Sequence, residues 1–547
     1  MTSSWHFADV WEVVAETLPE APATVHGEWH QTWAELDARA DALAAWLLDR
    51  GVAPGETFAQ YLYSTPEYIE ALYASFKIGI PPVNTNYRYG SDELAYLWDN
   101  ADCSAVIFHG EFAARIEAIR PRVPGVRHWL WVDDGSGPCP AWAVDYASLP
   151  PAAGRTVPPW GRSGDDLMLM YTGGTTGMPK GVMWRQDDLF ALFNRTAALR
   201  YPEDGGLDDV RTMLVKPGPA HLPGAPLMHG TGAFTSMAIL SSGGSVVLLP
   251  SRHFSATELL DTVERVRVTS LAIVGDAFGR PILAALDAEP DRWDISSLRV
   301  VTSSGVMWSA ASKDGLLRHH PSLILVDSLG SSEALNMAAS VTSGEARGET
   351  AAFTLGSSTR VIDDDGHDVV PGSGQVGMLA LGGRTPVGYY KDPEKTARTF
   401  RVIDGRRWSI PGDFALVEAD GSLRLMGRGS QCINTGGEKV YPEEVEEVIK
   451  THPEVADAAC VGVPDERFGE AIVALVEPAV LGTGRSLDEA SIIAYVKDRL
   501  AGYKAPKRVF TLEGLGRAPN GKVDYRALRD AAVRALAAQA PDKPSPS

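Results

Sequence analysis

Leu167-Met168-Leu169-Met170-Tyr171-Thr172-Gly173-Gly174-Thr175-Thr176-Gly177-Met178-Pro179-Lys180-Gly181 is the most informative stretch of this chain. Its apolar run Leu167–Tyr171 reads as a buried strand. The next ten residues, with four Gly, three Thr and one Lys, break that pattern. Glycine lets backbone N–H groups approach a polyanion closely, and hydroxyls and an ammonium add donors, so the loop is expected to cradle phosphate. It is not the pattern Gly-x-x-x-x-Gly-Lys-Ser/Thr, which puts Lys directly after the last Gly and opens a helix there. Here Met178-Pro179 separate Gly177 from Lys180, and Gly181 stands where a magnesium-binding hydroxyl would be. A plain Gly/Thr linker rarely carries a Lys just after a buried strand.

With 547 residues the chain exceeds what one hydrophobic core organises, so two or more domains are expected. A composition of 44% hydrophobic and 22% charged residues is that of a folded globular protein. A net charge of -20 argues against nucleic acid and anionic membrane surfaces as partners, since either needs a basic face. Any nucleotide must then be held by local donors. Cys103, Cys139, Cys432 and Cys460 show neither zinc-site nor disulfide spacing. Met1–His6 lacks the features of a signal peptide, and no apolar run approaches the roughly 18–20 residues that span a bilayer. The expected location is cytoplasmic.

Thr32-x-x-Glu35 reads as a capping box opening a helix with Leu36, Ala40, Leu43 and Leu47 on one face, closed by Gly51. A second helix runs over Ala71–Ile78 to Gly79. Between about 225 and 335, strand-like runs Val246–Leu249, Leu271–Val274, Leu298–Val301 and Leu323–Val326 alternate with helical stretches, one capped by Ser255-x-x-Glu258. That alternation predicts an α/β fold with a mostly parallel, doubly wound sheet. Three runs end in small polar residues: Gly275-Asp276, Ser303-Ser304-Gly305 and Gly330-Ser331-Ser332-Glu333. Ligand crevices in open α/β sheets lie at the carboxyl ends of strands, so these turns and Thr172–Gly177 are expected to share one cleft, with ordinary turn chemistry as the alternative for Gly275-Asp276. From about 355 to 426, Asp363-Asp364-Asp365-Gly366 and Asp420-Gly421 are hairpin signals of a small β-rich subdomain. Beyond Gly427-Arg428-Gly429-Ser430 a fresh α+β pattern begins. The expected organisation is 1–429 as a large domain and 430–547 as a smaller mobile one, with a disordered tail after Pro541.

The loop Thr172–Lys180 resembles the nucleotide signature of the adenylate-forming superfamily, which includes acyl-CoA synthetases, peptide-synthetase adenylation domains and firefly luciferase. The resemblance runs in order through motifs along nearly the whole chain. It implies ATP, Mg²⁺ and coenzyme A as ligands, with Thr172, Gly173, Gly174, Thr175, Thr176, Gly177, Met178, Pro179 and Lys180 around the phosphates, and Ser304, Gly305 and Ser332 in the same cleft. Leu329-Gly330-Ser331-Ser332-Glu333 is similar to the aromatic-Gly-x-Thr-Glu motif, whose Glu holds magnesium with a loop Thr, here Glu333 and Thr175; oxygen ligands of this kind suit a hard cation. Leu329 replaces the aromatic that covers adenine, and Ser332 keeps the hydroxyl of Thr.

Asp413, after Pro411-Gly412, resembles the Asp whose carboxylate accepts both ribose hydroxyls, and Arg428 the Arg beside ribose and α-phosphate. Lys522, in Pro519-Asn520-Gly521-Lys522, resembles the lysine that bridges the carboxylate and the ATP α-phosphate; an ammonium there offsets the repulsion between two anions. Ser430 falls at the hinge position, and Gly436 and Gly437 match a loop lining the pantetheine tunnel after the C-terminal domain rotates. His229, in Pro226-Leu227-Met228-His229-Gly230, matches a position of His or an aromatic in acyl-activating relatives, with a structural histidine as the alternative. No carboxylate stands there to pair an amino group, which disfavours an amino-acid substrate. Met228, Phe234, Met237, Phe278, Met307 and Leu335 are expected either to wall an apolar pocket or to pack the core.

The resemblance implies an ATP-dependent carboxylic acid–CoA ligase. A stand-alone adenylation enzyme that loads a carrier protein remains the alternative, and a non-catalytic homologue is a third class that Glu333, Asp413 and Lys522 speak against. Gly173 and Gly181-Val182-Met183-Trp184-Arg185 look most like actinobacterial fatty-acyl and steroid side-chain acyl-CoA synthetases. That branch implies a medium to long or bulky apolar acid. A homodimer is left open by the sequence.

Overall fold

Leu167–Thr172 forms the strand that its apolar run predicts, with Met168 through Tyr171 buried, and its neighbours build the first of two mixed sheets in the N-terminal part. This computed structural model describes residues 5–172, 178–306, 308–344, 352–428, 431, 433–435, 438–465, 469–479, 487–500, 502–518 and 521–539. The first sheet runs, in spatial order, Gly388–Tyr389, Lys180–Arg185, Leu167–Thr172, Pro82–Asn84, Thr57–Tyr61, Cys103–His109, His128–Val132 and Val144–Asp145. From Leu167–Thr172 to Val144–Asp145 the pairing is parallel, and the first two strands are antiparallel. The sequence reading found the helices of this region but not its sheet. Buried parallel strands such as Cys103–His109, covered on both faces, show no alternation to read.

The second sheet is the expected doubly wound one. Its order is Trp29–Thr32, Pro22–His26, Ser245–Leu248, Ala220–Pro223, Ser270–Ile273, Val300–Ser304, Ile324–Ser331 and Ala334–Thr342. The inner six of these strands are parallel, and Trp29–Thr32 and Ala334–Thr342 pair antiparallel on either side of them. The third predicted strand, Leu298–Val301, lies two to three residues further on, because Leu298 packs into the core ahead of the strand itself. Helix Trp33–Asp49 has the predicted box: Thr32 Oγ1 accepts from Glu35 N at 3.2 Å and Glu35 Oε2 accepts from Thr32 N at 2.8 Å. Gly51, at φ +76°, ends that turn in the left-handed region. The second helix begins earlier than predicted, at Pro66, whose fixed φ suits the first helical turn, and ends at Lys77. Lys77 is fully buried, with its ammonium 3.0 Å from Glu12, 2.8 Å from Asp37 and 3.0 Å from Asp41, and so ties three helices together.

The chain divides into two compact units. Met1–Thr350 with Leu381–Ser409 forms one, and Ala351–Ala380 with Ile410–Ser547 the other. The β-rich segment therefore contributes to both. Within the second unit, strands Val455–Asp465 and Gly469–Pro478 form a long antiparallel hairpin, and Arg508–Thr511 adds in parallel. Its period-2 pattern feeds two cores. Ala458, Cys460, Ile472 and Ala474 face helices Pro442–Lys450 and Glu489–Lys497, while Ala459, Val461, Val473 and Leu475 face Leu528 and Ala532 of helix Tyr525–Gln539. Among the described residues no helix is long and apolar enough to cross a membrane. The expected hinge residue Ser430 and the tail after Pro541 lie outside the described residues.

Candidate functional site

Strand Leu167–Thr172 and strand Lys180–Arg185 are antiparallel, and Thr172 and Lys180 are direct partners. The Gly/Thr loop therefore closes a hairpin, where a P-loop would lead into a helix. Gly173, Gly174, Thr175, Thr176 and Gly177 lie outside the described residues; Met178 and Pro179 precede the strand that Lys180 opens. A side chain at Gly181 would collide with the Tyr171 ring at 2.6 Å, so glycine is required where the two strands leave the loop.

Asn84 fixes the base of this loop, and sequence reasoning missed it. Its buried Nδ2 donates to the carbonyls of Tyr171 (2.8 Å) and Met228 (2.7 Å), and its Oδ1 accepts from Tyr171 N at 2.6 Å. One amide thus joins the strand entering the Gly/Thr loop to the turn carrying His229. The only signal was an Asn at a strand end, too common to single out. Asn84→Ala strands three backbone groups and is expected to lower unfolding free energy by about 2–3 kcal/mol, read by urea denaturation; Asn84→Asp, which cannot donate, should lose nearly as much.

His229 stands at the N-cap of helix Gly230–Leu240, half-buried, with its carbonyl accepting from Ala233 N at 2.9 Å. A Cβ built on Gly230 would lie 3.8 Å from Ser332 Oγ, which puts the His229 turn beside Ser332-Glu333. Met228, Phe234, Met237 and Leu335 share one apolar cluster, but Phe278 belongs to another, so the expected pocket set is divided; Met307 lies outside the described residues.

The parallel strands bring the predicted turns to one edge. Ser304 ends strand Val300–Ser304 and Gly305 follows it, and Ser304 pairs with Ser328 of the next strand. Gly305 has φ +96°. Gly275 N donates to Ser303 Oγ at 2.9 Å. Asp276 is structural: its carboxylate accepts from Ser309 N and Oγ (3.2 and 3.0 Å) and pairs with Arg280 at 3.1 Å. Ser332 and Glu333 form a two-residue hairpin turn, since Ser331 pairs with Ala334.

Three residues from distant segments fix that turn. Trp184, fully buried, donates from Nε1 to Ser332 O at 2.9 Å. Ser409 Oγ donates to Glu333 O at 2.6 Å. Tyr389 OH donates to Glu333 Oε1 at 2.7 Å. Trp184 was noticed in the sequence only as a branch marker; its indole is a strut for the Glu333 turn. Around the carboxylate, Lys180 Nζ lies 3.8 Å from Asp392 Oδ2, and Lys395 Nζ sits 4.3 Å above the Tyr389 ring. Burial, then the neighbouring Lys180 ammonium, pulls Lys395 down to about 8, against the attraction of Glu333 and Asp392.

In the second unit, Asp413 and Arg428 are Cα partners across antiparallel strands. Asp413 is buried. A bulge between Phe414/Ala415 and their partners re-aims the strand here, and Gly427, at φ +107°, has no room for a side chain because Glu443's carboxylate would meet it. Lys522 is exposed on a tight turn in which its carbonyl accepts from Ala518 N at 2.8 Å and Gly521 adopts φ +71°. Arg517 Nη1 holds Gly521 O at 2.7 Å while its other guanidinium nitrogens grip Asp457. Burial would raise the Asp457 carboxyl, but the hydrogen bond and charge of Arg517 outweigh it and hold it low. Gly436 and Gly437 lie outside the described residues, between paired strands Ile433–Thr435 and Glu438–Val440.

Comparison with known proteins bears on this arrangement. The family model described as AMP-binding enzyme matches residues 11–390, and that described as AMP-binding enzyme C-terminal domain matches 444–522. A medium/long-chain-fatty-acid–CoA/3-oxocholest-4-en-26-oate–CoA ligase of Mycobacterium tuberculosis is 40% identical over 533 residues, covering 96% of each chain. A 3-oxocholest-4-en-26-oate–CoA ligase of Rhodococcus rhodochrous is 38% identical, covering 96% of this chain and 95% of its own. Among solved structures, an anthranilate CoA ligase in complex with anthranoyl-AMP superposes with TM-score 0.82 over 98% of both chains at 23% identity, which speaks to fold alone.

Proposed function

We propose that this chain, which belongs to the AMP-binding enzyme family, is an ATP-dependent, AMP-forming carboxylic acid–CoA ligase acting on a medium- or long-chain fatty acid or a steroid side-chain acid in the cytoplasm. The observation that carries the reading is the 40% identity, over 96% of each chain, to a ligase of that description. In the first step an acid carboxylate oxygen attacks the ATP α-phosphorus, the α–β anhydride bond breaks, and pyrophosphate leaves. In the second the CoA thiol attacks the acyl carbonyl, AMP departs with the C–O electron pair, and the thiol proton is released.

Residues of this chain divide the work. Lys180 and the Thr172–Gly177 loop bind the phosphates, with Ser304, Gly305 and Ser332 beside them. Asp413 accepts from the ribose hydroxyls, and Arg428 neutralises phosphate charge. Glu333, with one carboxylate oxygen set by Tyr389, fits a hard cation that wants oxygen donors, and Thr175 is its partner in the reading. A magnesium ion held by these residues would offset charge on the phosphate oxygens. Lys522 brings its ammonium to the attacking carboxylate and α-phosphate. Gly436 and Gly437 line the pantetheine path, and rotation about Ser430 exchanges them with Lys522. Ser430→Pro is expected to slow thioester formation about tenfold or more while sparing adenylation, followed by single-turnover assays of each half-reaction; equal loss in both would remove the hinge.

The direct test is a panel of carboxylic acids with MgATP and CoA, scoring AMP and thioester together. Stoichiometric AMP and acyl-CoA from C8–C18 or steroid acids is the expected result. AMP release that requires a carrier protein would replace CoA as acceptor, and no pyrophosphate exchange with any acid would overturn the reading.

A further inference from the structure

Two lysines stand together beside Glu333, and only one of them belongs to the phosphate loop. Lys180 opens the strand leaving that loop. Lys395 comes from the short helix Pro393–Thr399, more than two hundred residues later in sequence. Asp392 holds the pair together: its Oδ1 accepts from Lys395 N at 2.9 Å, and its Oδ2 lies 3.8 Å from Lys180 Nζ. The ammonium of Lys395 lies over the Tyr389 ring, with Nζ 4.3 Å from the centroid, and Tyr389 in turn holds Glu333. Burial, together with the Lys180 ammonium as a like-charged neighbour, holds the half-buried Lys395 amine below the ordinary lysine range.

Such an arrangement is unfavourable by itself. Two ammonium groups repel, burial disfavours charging one of them, and among the described residues no carboxylate forms a direct ion pair with Lys395. An exposed lysine in that position would swing into water, but the contact of its ammonium with the Tyr389 ring face holds it in place. A ligand carrying several adjacent negative charges relieves both problems, because each phosphate accepts from one ammonium.

We propose that Lys395 is a second pyrophosphate-binding lysine, which with Lys180 grips the β- and γ-phosphates of ATP and the pyrophosphate that departs. This deepens the ligase reading and rests on it. Lys395 thereby belongs to the ATP half of the site and has no part in acid or CoA binding. The groups facing it are Lys180, Glu333, Asp392 and the Tyr389 ring, and a polyanion added to them raises the Lys395 affinity for a proton.

The test uses full-length protein with inorganic pyrophosphate and MgATP as probes. Lys395→Met keeps an unbranched side chain and removes the charge; it should weaken pyrophosphate binding and raise KM for ATP about tenfold, with KM for acid and CoA unchanged. Lys395→Arg should restore most of that affinity. Calorimetry in buffers of different ionisation enthalpy should show wild type taking up about half a proton more than Lys395→Met on binding pyrophosphate at pH 8. Unchanged pyrophosphate affinity in an active Lys395→Met protein would overturn the proposal alone. Equal loss toward ATP, acid and CoA, without rescue by Arg, would assign Lys395 a purely structural role and also overturn it. A wild-type protein that binds pyrophosphate through Lys395 but makes no acyl-adenylate would instead remove the ligase reading.

Discussion

Lys522→Ala is expected to slow acyl-adenylate formation by about 10²–10³-fold, or ~3–4 kcal/mol of barrier, in a protein that still binds MgATP. A carboxylate and an α-phosphate repel as they approach, and negative charge gathers at the reacting phosphorus. A fixed ammonium is worth most at that point, because it strengthens as charge develops. The local structure supports a positioning role. The turn bearing Lys522 is held through Gly521 by Arg517, which Asp457 fixes in turn. The Lys522 side chain is exposed. Two measurements separate the roles: pyrophosphate exchange falls, whereas thioester formation from supplied acyl-adenylate proceeds at near the wild-type rate. A variant that exchanges pyrophosphate normally would leave Lys522 as an ordinary hairpin lysine.

Glu333→Gln is expected to lower kcat/KM for MgATP by about 10²-fold, ~3 kcal/mol, with stability changed by less than about 0.5 kcal/mol. Glutamine has the same shape, and its amide oxygen can still accept from Tyr389. The backbone of the turn stays pinned by Trp184 and Ser409. Only the charge is lost, so the defect should appear as a raised Mg²⁺ requirement that excess metal partly relieves. Unaltered magnesium dependence of adenylation in Glu333→Gln would move the metal to other ligands.

Much of the candidate site could be read from local sequence because its residues are short motifs. The strand before the phosphate loop, the box at Thr32, the ends of the parallel strands and the turn before Lys522 each follow from rules spanning a few residues. The pairing of Asp413 with Arg428 could not be read in the same way. Fifteen residues and a bulge separate them, and only the register of two strands makes them opposite. Asn84, Trp184 and Tyr389 went unrecognised as site residues because they act on backbone or side-chain atoms about 55 to 150 positions away.

Sequence by itself determined the alternation that makes this an α/β chain, the glycines that let a loop approach phosphate, and the types of side chain offered to the nucleotide. These depend on the backbone freedom and chemistry of individual residues and their near neighbours. Tertiary structure alone decided that Asp392 stands between Lys395 and Lys180, that an indole and two hydroxyls hold the Glu333 turn, and that Asp276 is spent on Ser309 and Arg280. Contacts of that kind depend on strand order and register, which long-range packing sets and no local pattern encodes.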